Sequence, residues 1–237
     1  MRILKQLTER VYYMPADGEI DRPVLGYIKG DKFSLRIDAG NSASHVANFD
    51  QEVERLGLVQ PAATLITHWH WDHTYGMHAI KTPIIANEQT NARLQTMSTW
   101  SWTPDAMAAR LETGEECAFC DEYIRKEYDD PQGQIKVVTA DVTFKDKLTI
   151  DLGGIELEIF QVTNPHSEDG MIIYIPSERV AFIGDTITED FYNNSYMDWE
   201  KMATLRQTLS QLDADYYLHG HLEPLSFEQL DEFMQPS

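Results

Sequence analysis

The chain has 237 residues, and 19 Lys+Arg against 39 Asp+Glu give it a formal charge of −20. That length fits one domain, residues 1–237, with a sizeable core that needs no disulfides. The acidity argues against nucleic acid and anionic membrane as partners, because no Lys/Arg run exists to build a local basic patch.

The first 40 residues read as β, with short apolar runs at Val11–Tyr13, Val24–Ile28 and Phe33–Asp38. Val46, Phe49, Val53 and Leu56 then repeat every three or four residues, which predicts a helix capped by Asn41 or Ser42 and ended by Gly57. Ala63–Thr67 reads as a strand, and Ile80–Ala86 as a helix followed by a strand. Residues 88–130 lack strand signals and predict two or three inserted helices, expected to cover a pocket or to make a homodimer contact. Four short strands follow at Ile135–Thr139, Val142–Phe144, Lys147–Asp151 and Ile155–Val162, then apolar strands at Met171–Ile175 and Val180–Ile183. A helix carries Trp199, Met202, Leu205, Leu209 and Leu212, and Tyr216–Leu218 is a last strand. Ser226–Gln229 forms a capping box opening a terminal helix with Phe227, Leu230 and Phe233 inward. Strands, a polar loop and a helix, occurring twice, are compatible with two packed sheets and outer helices.

Three imidazoles and a carboxylate stand within six residues in His68-Trp69-His70-Trp71-Asp72-His73. In an extended segment His68 and His70 face one way, so they can converge on one ion, while Asp72 and His73 aim at a neighbouring position. Desolvating such a set without partners costs on the order of 2–7 kcal/mol per group, which makes core filler a poor account. Imidazole and carboxylate suit zinc, with iron or manganese as competitors. His166 after Asn164-Pro165, Asp185 after Gly184 and His221 after Gly220 each lie in a loop at a strand's end.

In this order, the HxHxDH motif, a Pro-His turn, Gly-Asp and Gly-His resemble the metallo-β-lactamase-fold hydrolase superfamily, over nearly the whole chain and including Asp38-Ala39-Gly40. The resemblance implies an α/β fold, the αββα four-layer sandwich, with a helical insertion around residues 88–130. It also implies one metal held by His68, His70 and His166, a second held by Asp72, His73 and His221, and Asp185 bridging them. The ligand set is similar to that of hydroxyacylglutathione hydrolases, lactonases and phosphodiesterases, with Asp185 where some lactamase classes have Cys. The implied reaction is hydrolysis of a small-molecule ester, thioester, lactone or phosphodiester, with two cations about 3.5–4 Å apart holding a bridging hydroxide, Asp72 orienting it and Asp185 as the shared catalytic carboxylate. Alternatives within the fold are a mononuclear iron sulfur dioxygenase and a ribonuclease Z-like nuclease, which the acidity disfavours.

Around this set, Glu168, Tyr192, Tyr196 and His219 are candidate pocket residues, with a tyrosine hydroxyl donating to substrate and His219 supporting the ligands or donating a proton. Trp69 and Trp71 alternate with the ligands and are expected to point away from the metals, supporting the motif from the core side or, for one of them, walling the pocket. His45 and His78 read as packing or surface residues, and Cys117-Ala118-Phe119-Cys120 is a lone CxxC without a second pair. No stretch reaches the roughly 20 apolar residues of a membrane span, and Met1–Arg10 lacks the apolar centre of a signal peptide, so a cytoplasmic location is expected.

Overall fold

Short apolar runs broken by glycine, proline and charged residues become strands of two sheets, in a computed structural model that describes residues 2–236. β1 (Lys5–Gln6), β2 (Val11–Met14), β3 (Leu25–Lys29) and β4 (Ser34–Ile37) form an antiparallel meander. Helix α1 (Ala43–Arg55) crosses to β5 (Ala63–Leu65), and the short α2 (Trp71–Thr74) with a 3-10 turn (Tyr75–Ala79) leads to β6 (Ile84–Asn87). The helices α3 (Glu88–Met97), α4 (Pro104–Thr113), α5 (Ala118–Glu127) and α6 (Pro131–Gln134) precede β7 (Val142–Phe144). From β4 to β7 the pairing is parallel, as such crossovers require. The second sheet takes β8 (Lys147–Asp151), β9 (Glu156–Gln161), β10 (Met171–Ile175) and β11 (Val180–Gly184) antiparallel. Helix α7 (Trp199–Ser210) then crosses to β12 (Tyr216–His219), parallel to β11, and α8 (Phe227–Phe233) follows.

Strand alternation sorts the side chains into four layers. Val11, Tyr13, Ile28, Leu35 and Ile37 of the first sheet meet Leu157, Ile159, Ile173, Ile175 and Phe182 of the second in one core. Their neighbours Tyr12, Met14, Leu25 and Tyr27 face outward onto Phe49 and Val53 of α1. On the other side Ile172, Tyr174, Ala181 and Ile183 face outward onto Met202, Leu205 and Leu209 of α7 and Leu230 of α8. This is the αββα sandwich. The insertion packs onto β6 and the α2 segment in a further core, in which Trp71, Tyr75, Trp102, Met107 and Ile124 are buried together.

Local signals set most helix ends. Ser42 caps α1 by accepting from His45 N–H at 3.2 Å, and Gly57 lies just past its end with φ +66°. The capping box of α8 forms between Ser226 and Gln229.

Three expectations need correction. Ile135–Thr139 is not a strand. Ile135 and Val137 are buried in the insertion core, and the sheet edge beside β6 goes to β7 instead. Ile80–Ala86 holds no helix, since the 3-10 turn ends at Ala79 and the strand begins at Ile84. Phe233 is 50% exposed, and Met234 turns inward in its place.

Gly26 sets the distance between the sheets. A Cβ there would stand 2.5 Å from the Phe182 ring and 2.9 Å from Ile37 Cβ. Gly26→Val is therefore expected to cost about 1–3 kcal/mol by overpacking. Urea unfolding would show this as a lowered midpoint at an unchanged slope. An unchanged midpoint would contradict the packing argument.

Candidate metal centre

All seven residues of the motif set lie where strands end. After β5 the chain leaves the sheet, and Thr74 Oγ1 donates to the carbonyls of His70 at 2.9 Å and Trp69 at 3.2 Å, folding the segment back on itself. His70 is the residue before α2, and Asp72 and His73 fall in its single turn. Asn164 builds the Pro-His turn. Its Oδ1 accepts from the backbone N–H of His166 and Ser167 at 3.0 Å each. Gly184 takes φ +51° to redirect the chain into Asp185. Gly220 lies so close that a Cβ would stand 2.0 Å from Asp185 Oδ1. The glycine before His221 thus makes room for the carboxylate of a different strand.

The side chains form two groups, His68–His70–His166 and Asp72–His73–Asp185–His221, each with donor atoms within 4.8 Å of one another. Asp185 Oδ2 is 3.1 Å from His221 Nε2, 3.5 Å from His73 Nε2 and 3.8 Å from His166 Nε2, so it stands between the groups. Asp72 Oδ2 lies 3.1 Å from both His73 Nε2 and His221 Nε2.

Hydrogen bonds on the far side of three rings fix their tautomers. His166 Nδ1 donates to the Glu189 carbonyl at 2.9 Å. Thr67 Oγ1 donates to Asp38, so it accepts from His68 Nδ1 at 3.0 Å. His73 Nδ1 donates to Asp38 Oδ2 at 2.7 Å. The Nε2 atoms of His68, His73 and His166 and Oδ1 of Asp185 are buried and have no hydrogen-bond partner. Orphaned buried donor atoms of this kind are costly without a ligand, and their nitrogen and oxygen chemistry fits two divalent cations.

Titration separates the groups. Burial holds His68 and His70 neutral, well below the ordinary imidazole value. Burial acts the same way on His73 and His221, but surrounding carboxylates, Asp72 and Asp185 among them, raise both well above it. Burial would raise the Asp72 and Asp185 carboxyls, yet those two histidines hold them well below the carboxylate range.

A cavity of about 280 Å³ opens over the groups, with His70, Asp72, His166, Asp185 and His221 at its floor and Phe119, Tyr123 and Phe191 in its walls. The insertion thus covers the site through α5. A flanking cavity of about 370 Å³ shares His70 and His166 and includes Trp69, Arg93, Glu168 and Tyr192.

The other expected residues divide. Tyr192 packs on His70 with ring centroids 5.3 Å apart, but its hydroxyl donates to Glu116 at 2.8 Å and does not face substrate space. Tyr196 is 57% exposed and lines a separate surface depression with residues 193–199, so it is not brought to the site. His219 Nδ1 accepts from His221 N–H, so its Nε2 carries the proton and donates to Thr188. Burial pushes His219 down to about 4, which suits a neutral ring orienting His221 rather than a proton donor. Trp69 is buried in the core shared with Trp71 and the insertion, and its ring also lines the flanking cavity, 4.5 Å from His70. His45 is buried beside Gly40, and His78 bonds the Tyr75 carbonyl.

Three residues escaped the sequence reading as site residues. Asp38 holds both Thr67 and His73, with φ +61°, a conformation that Asp tolerates. Thr67 relays that contact to His68. Asp21 lies 3.6 Å from His221 Nδ1, and burial, followed by repulsion from Asp72, raises its carboxyl to about 7. The Asp38-Ala39-Gly40 break after a strand was the available signal for the first. A lone Asp21 carries no signal.

Comparison with known proteins bears on this arrangement. The family model of the metallo-beta-lactamase superfamily matches residues 26–221. The protein named acyl-coenzyme A thioesterase MBLAC2 of Homo sapiens is 20% identical over 230 residues, covering 89% of this chain and 76% of that protein. The structure of DIM-1 metallo-beta-lactamase matches with TM-score 0.67 at 14% identity, over 98% of this chain and 95% of that one. The sec-alkylsulfatase Pisa1 from Pseudomonas sp. matches with TM-score 0.70 at 15% identity, over 99% of this chain and 40% of that one. The structural likenesses concern the fold, while the family model spans most of the chain and the site residues up to His221. The chain belongs to the metallo-beta-lactamase superfamily of metal-dependent hydrolases.

Proposed function

We propose that the chain hydrolyses a carboxylic ester or thioester with an apolar acyl group, using two divalent cations, zinc by donor chemistry. The observation that carries this reading is the position of Asp185 between two donor groups whose inward atoms have no other partner. In this reading His68, His70 and His166 hold one cation, Asp72, His73 and His221 hold the other, and Asp185 is shared. When bound, the pair supplies an activated water nucleophile at neutral pH and a Lewis acid for the substrate oxygen.

The chain's own residues do the positioning. Asp38, Thr67 and the Glu189 carbonyl aim three imidazoles inward by hydrogen bonds to Nδ1. Asp72, on the cavity floor, is placed to accept a hydrogen bond from the nucleophilic water. Trp71, Phe119, Tyr123 and Phe191 border the cavity and exclude water from an acyl chain. The name of the human relative, an acyl-coenzyme A thioesterase, supports a thioester for this chain.

The test is a panel of acyl thioesters, esters, lactones and phosphodiesters with the zinc-loaded protein. The highest kcat/KM is expected on apolar acyl thioesters or esters. A preference for phosphodiesters, or iron content with oxygen consumption, would overturn the reading.

Asp38→Asn keeps the side-chain shape at a backbone conformation that Asn also tolerates, but weakens the acceptor for His73. It is expected to lower metal affinity or kcat by about 10–100-fold. Asp185→Asn is expected to cost more than that, since it touches both groups. Metal content and kcat of the folded variants check both expectations.

Metal uptake should depend on pH unequally. His68 and His70 are neutral without metal and have no proton to release. His73 and His221 are protonated without metal, so loading their group expels protons. The affinity for the metal that fills the Asp72–His73–His221 group is therefore expected to rise with pH more steeply than the affinity for the metal held by His68 and His70. Competition titrations at several pH values would show it, and equal slopes would contradict it.

A further inference from the structure

The insertion holds a second cluster of reactive side chains that the hydrolase reading does not use. Cys117 is the residue capping α5, Cys120 lies in its first turn, and their sulfurs are 2.9 Å apart with neither in a disulfide. The Cys120 N–H donates to Cys117 Sγ at 3.2 Å, so a thiolate at Cys117 is met by a backbone donor and the positive end of the helix dipole. Glu116 is buried against the pair, with a carboxylate oxygen within 4.8 Å of both sulfurs and Oε2 without a partner. Cys117 is partly exposed, whereas Cys120 is buried in the cavity wall.

We propose that Cys117 and Cys120 are a redox site that takes low-molecular-weight disulfides and closes to an intramolecular disulfide. In the first step the Cys117 thiolate attacks one sulfur of the disulfide, forms a mixed disulfide and releases one thiolate. In the second, Cys120 gives its proton to Glu116 and attacks the Cys117 sulfur, releasing the second thiolate. The dithiol loses two electrons, and the external disulfide is reduced to two thiols, which take up the two protons.

The division of labour follows from the surroundings. Hydrogen bonding from Cys120 holds the Cys117 thiol below its ordinary value, while hydrogen bonding and burial push Cys120 well above it. The partly exposed thiol is the attacking one and the buried thiol resolves. A metal is the poorer occupant. Two thiolates on one tetrahedral zinc, each at about 2.3 Å, stand roughly 3.8 Å apart, against 2.9 Å here. The Glu116 carboxylate is also committed through Oε1 to the Tyr192 hydroxyl and the Cys117 N–H.

These are the two cysteines of the chain, so thiol count and intact mass of the full, metal-loaded protein report on this site directly. They do not depend on the hydrolase reading. With excess oxidised glutathione, the protein is expected to lose both titratable thiols and two hydrogens in mass. Cys120→Ser is expected to stop at one glutathionyl group on Cys117, and Cys117→Ser to react at least about 10-fold more slowly. Retention of both thiols in the wild type, or equal rates in the two variants, would overturn the proposal. So would an extra equivalent of metal that is lost in Cys120→Ser, which would make the cluster a metal site.

Discussion

The structure is organised around a buried excess of polar atoms that the protein alone does not satisfy. Four imidazoles and two carboxylates of the motif set are buried at one end of the sandwich, with His221 partly exposed beside them. Several of their inward atoms lack a hydrogen bond. Groups of this kind cost a few kcal/mol each when buried without compensation. Without metal, part of the debt in the second group is relieved by protonating His73 and His221 beside Asp72, Asp185 and Asp38. Two positive imidazoliums then stand in for a cation. The first group has no carboxylate of its own, and burial keeps His68 and His70 neutral.

The rest of the fold can be understood as what keeps this cluster from relaxing. Each donor leaves a strand end through a turn with little freedom: Asn164 clamps the turn before His166, Gly184 turns left-handed before Asp185, and Gly220 closes on Asp185 before His221. Gly220 N–H donates to the Gly184 carbonyl at 3.0 Å, and its own carbonyl accepts from Val24 at 2.6 Å. One residue therefore ties β11, the chain after β12 and the approach to β3 together. Asp38 does the same from the first sheet, through Thr67 and His73. Any drift of one sheet against the other is resisted at the place where donor geometry matters most.

The parts legible in the sequence were those with local causes. HxHxDH concentrates donor types in six residues, and Ser42, Gly57 and the Ser226–Gln229 box mark helix ends by short-range chemistry. Alternation in Ile155–Val162 exposed a strand with one buried face. What stayed hidden depended on distant partners. Ile135–Thr139 has the apolar pattern of a strand, but the place beside β6 was taken by β7. The Tyr192 hydroxyl is occupied by Glu116, 76 residues earlier in the chain, which no local reading could supply.

That last contact bears on specificity. Tyr192 packs against Trp69 and His70, while its hydroxyl is bound to an insertion whose apolar interior shares a core with Trp69 and Trp71. Phe119 of the same insertion stacks on Phe191 at 4.8 Å across the cavity. The walls over the donors are thus built by residues 88–130 and the loop around residue 191, clasped together by the Tyr192 hydroxyl's hydrogen bonds to Glu116 and Cys120 and by one aromatic stack. The insertion shapes what enters the cavity, and through Trp69 and Trp71 it also packs on the segment that carries His70 and Asp72. The −20 charge bears little on what enters. The buried carboxylates nearest the donors are paired with imidazoles, so the cavity meets its substrate mainly through aromatic surface.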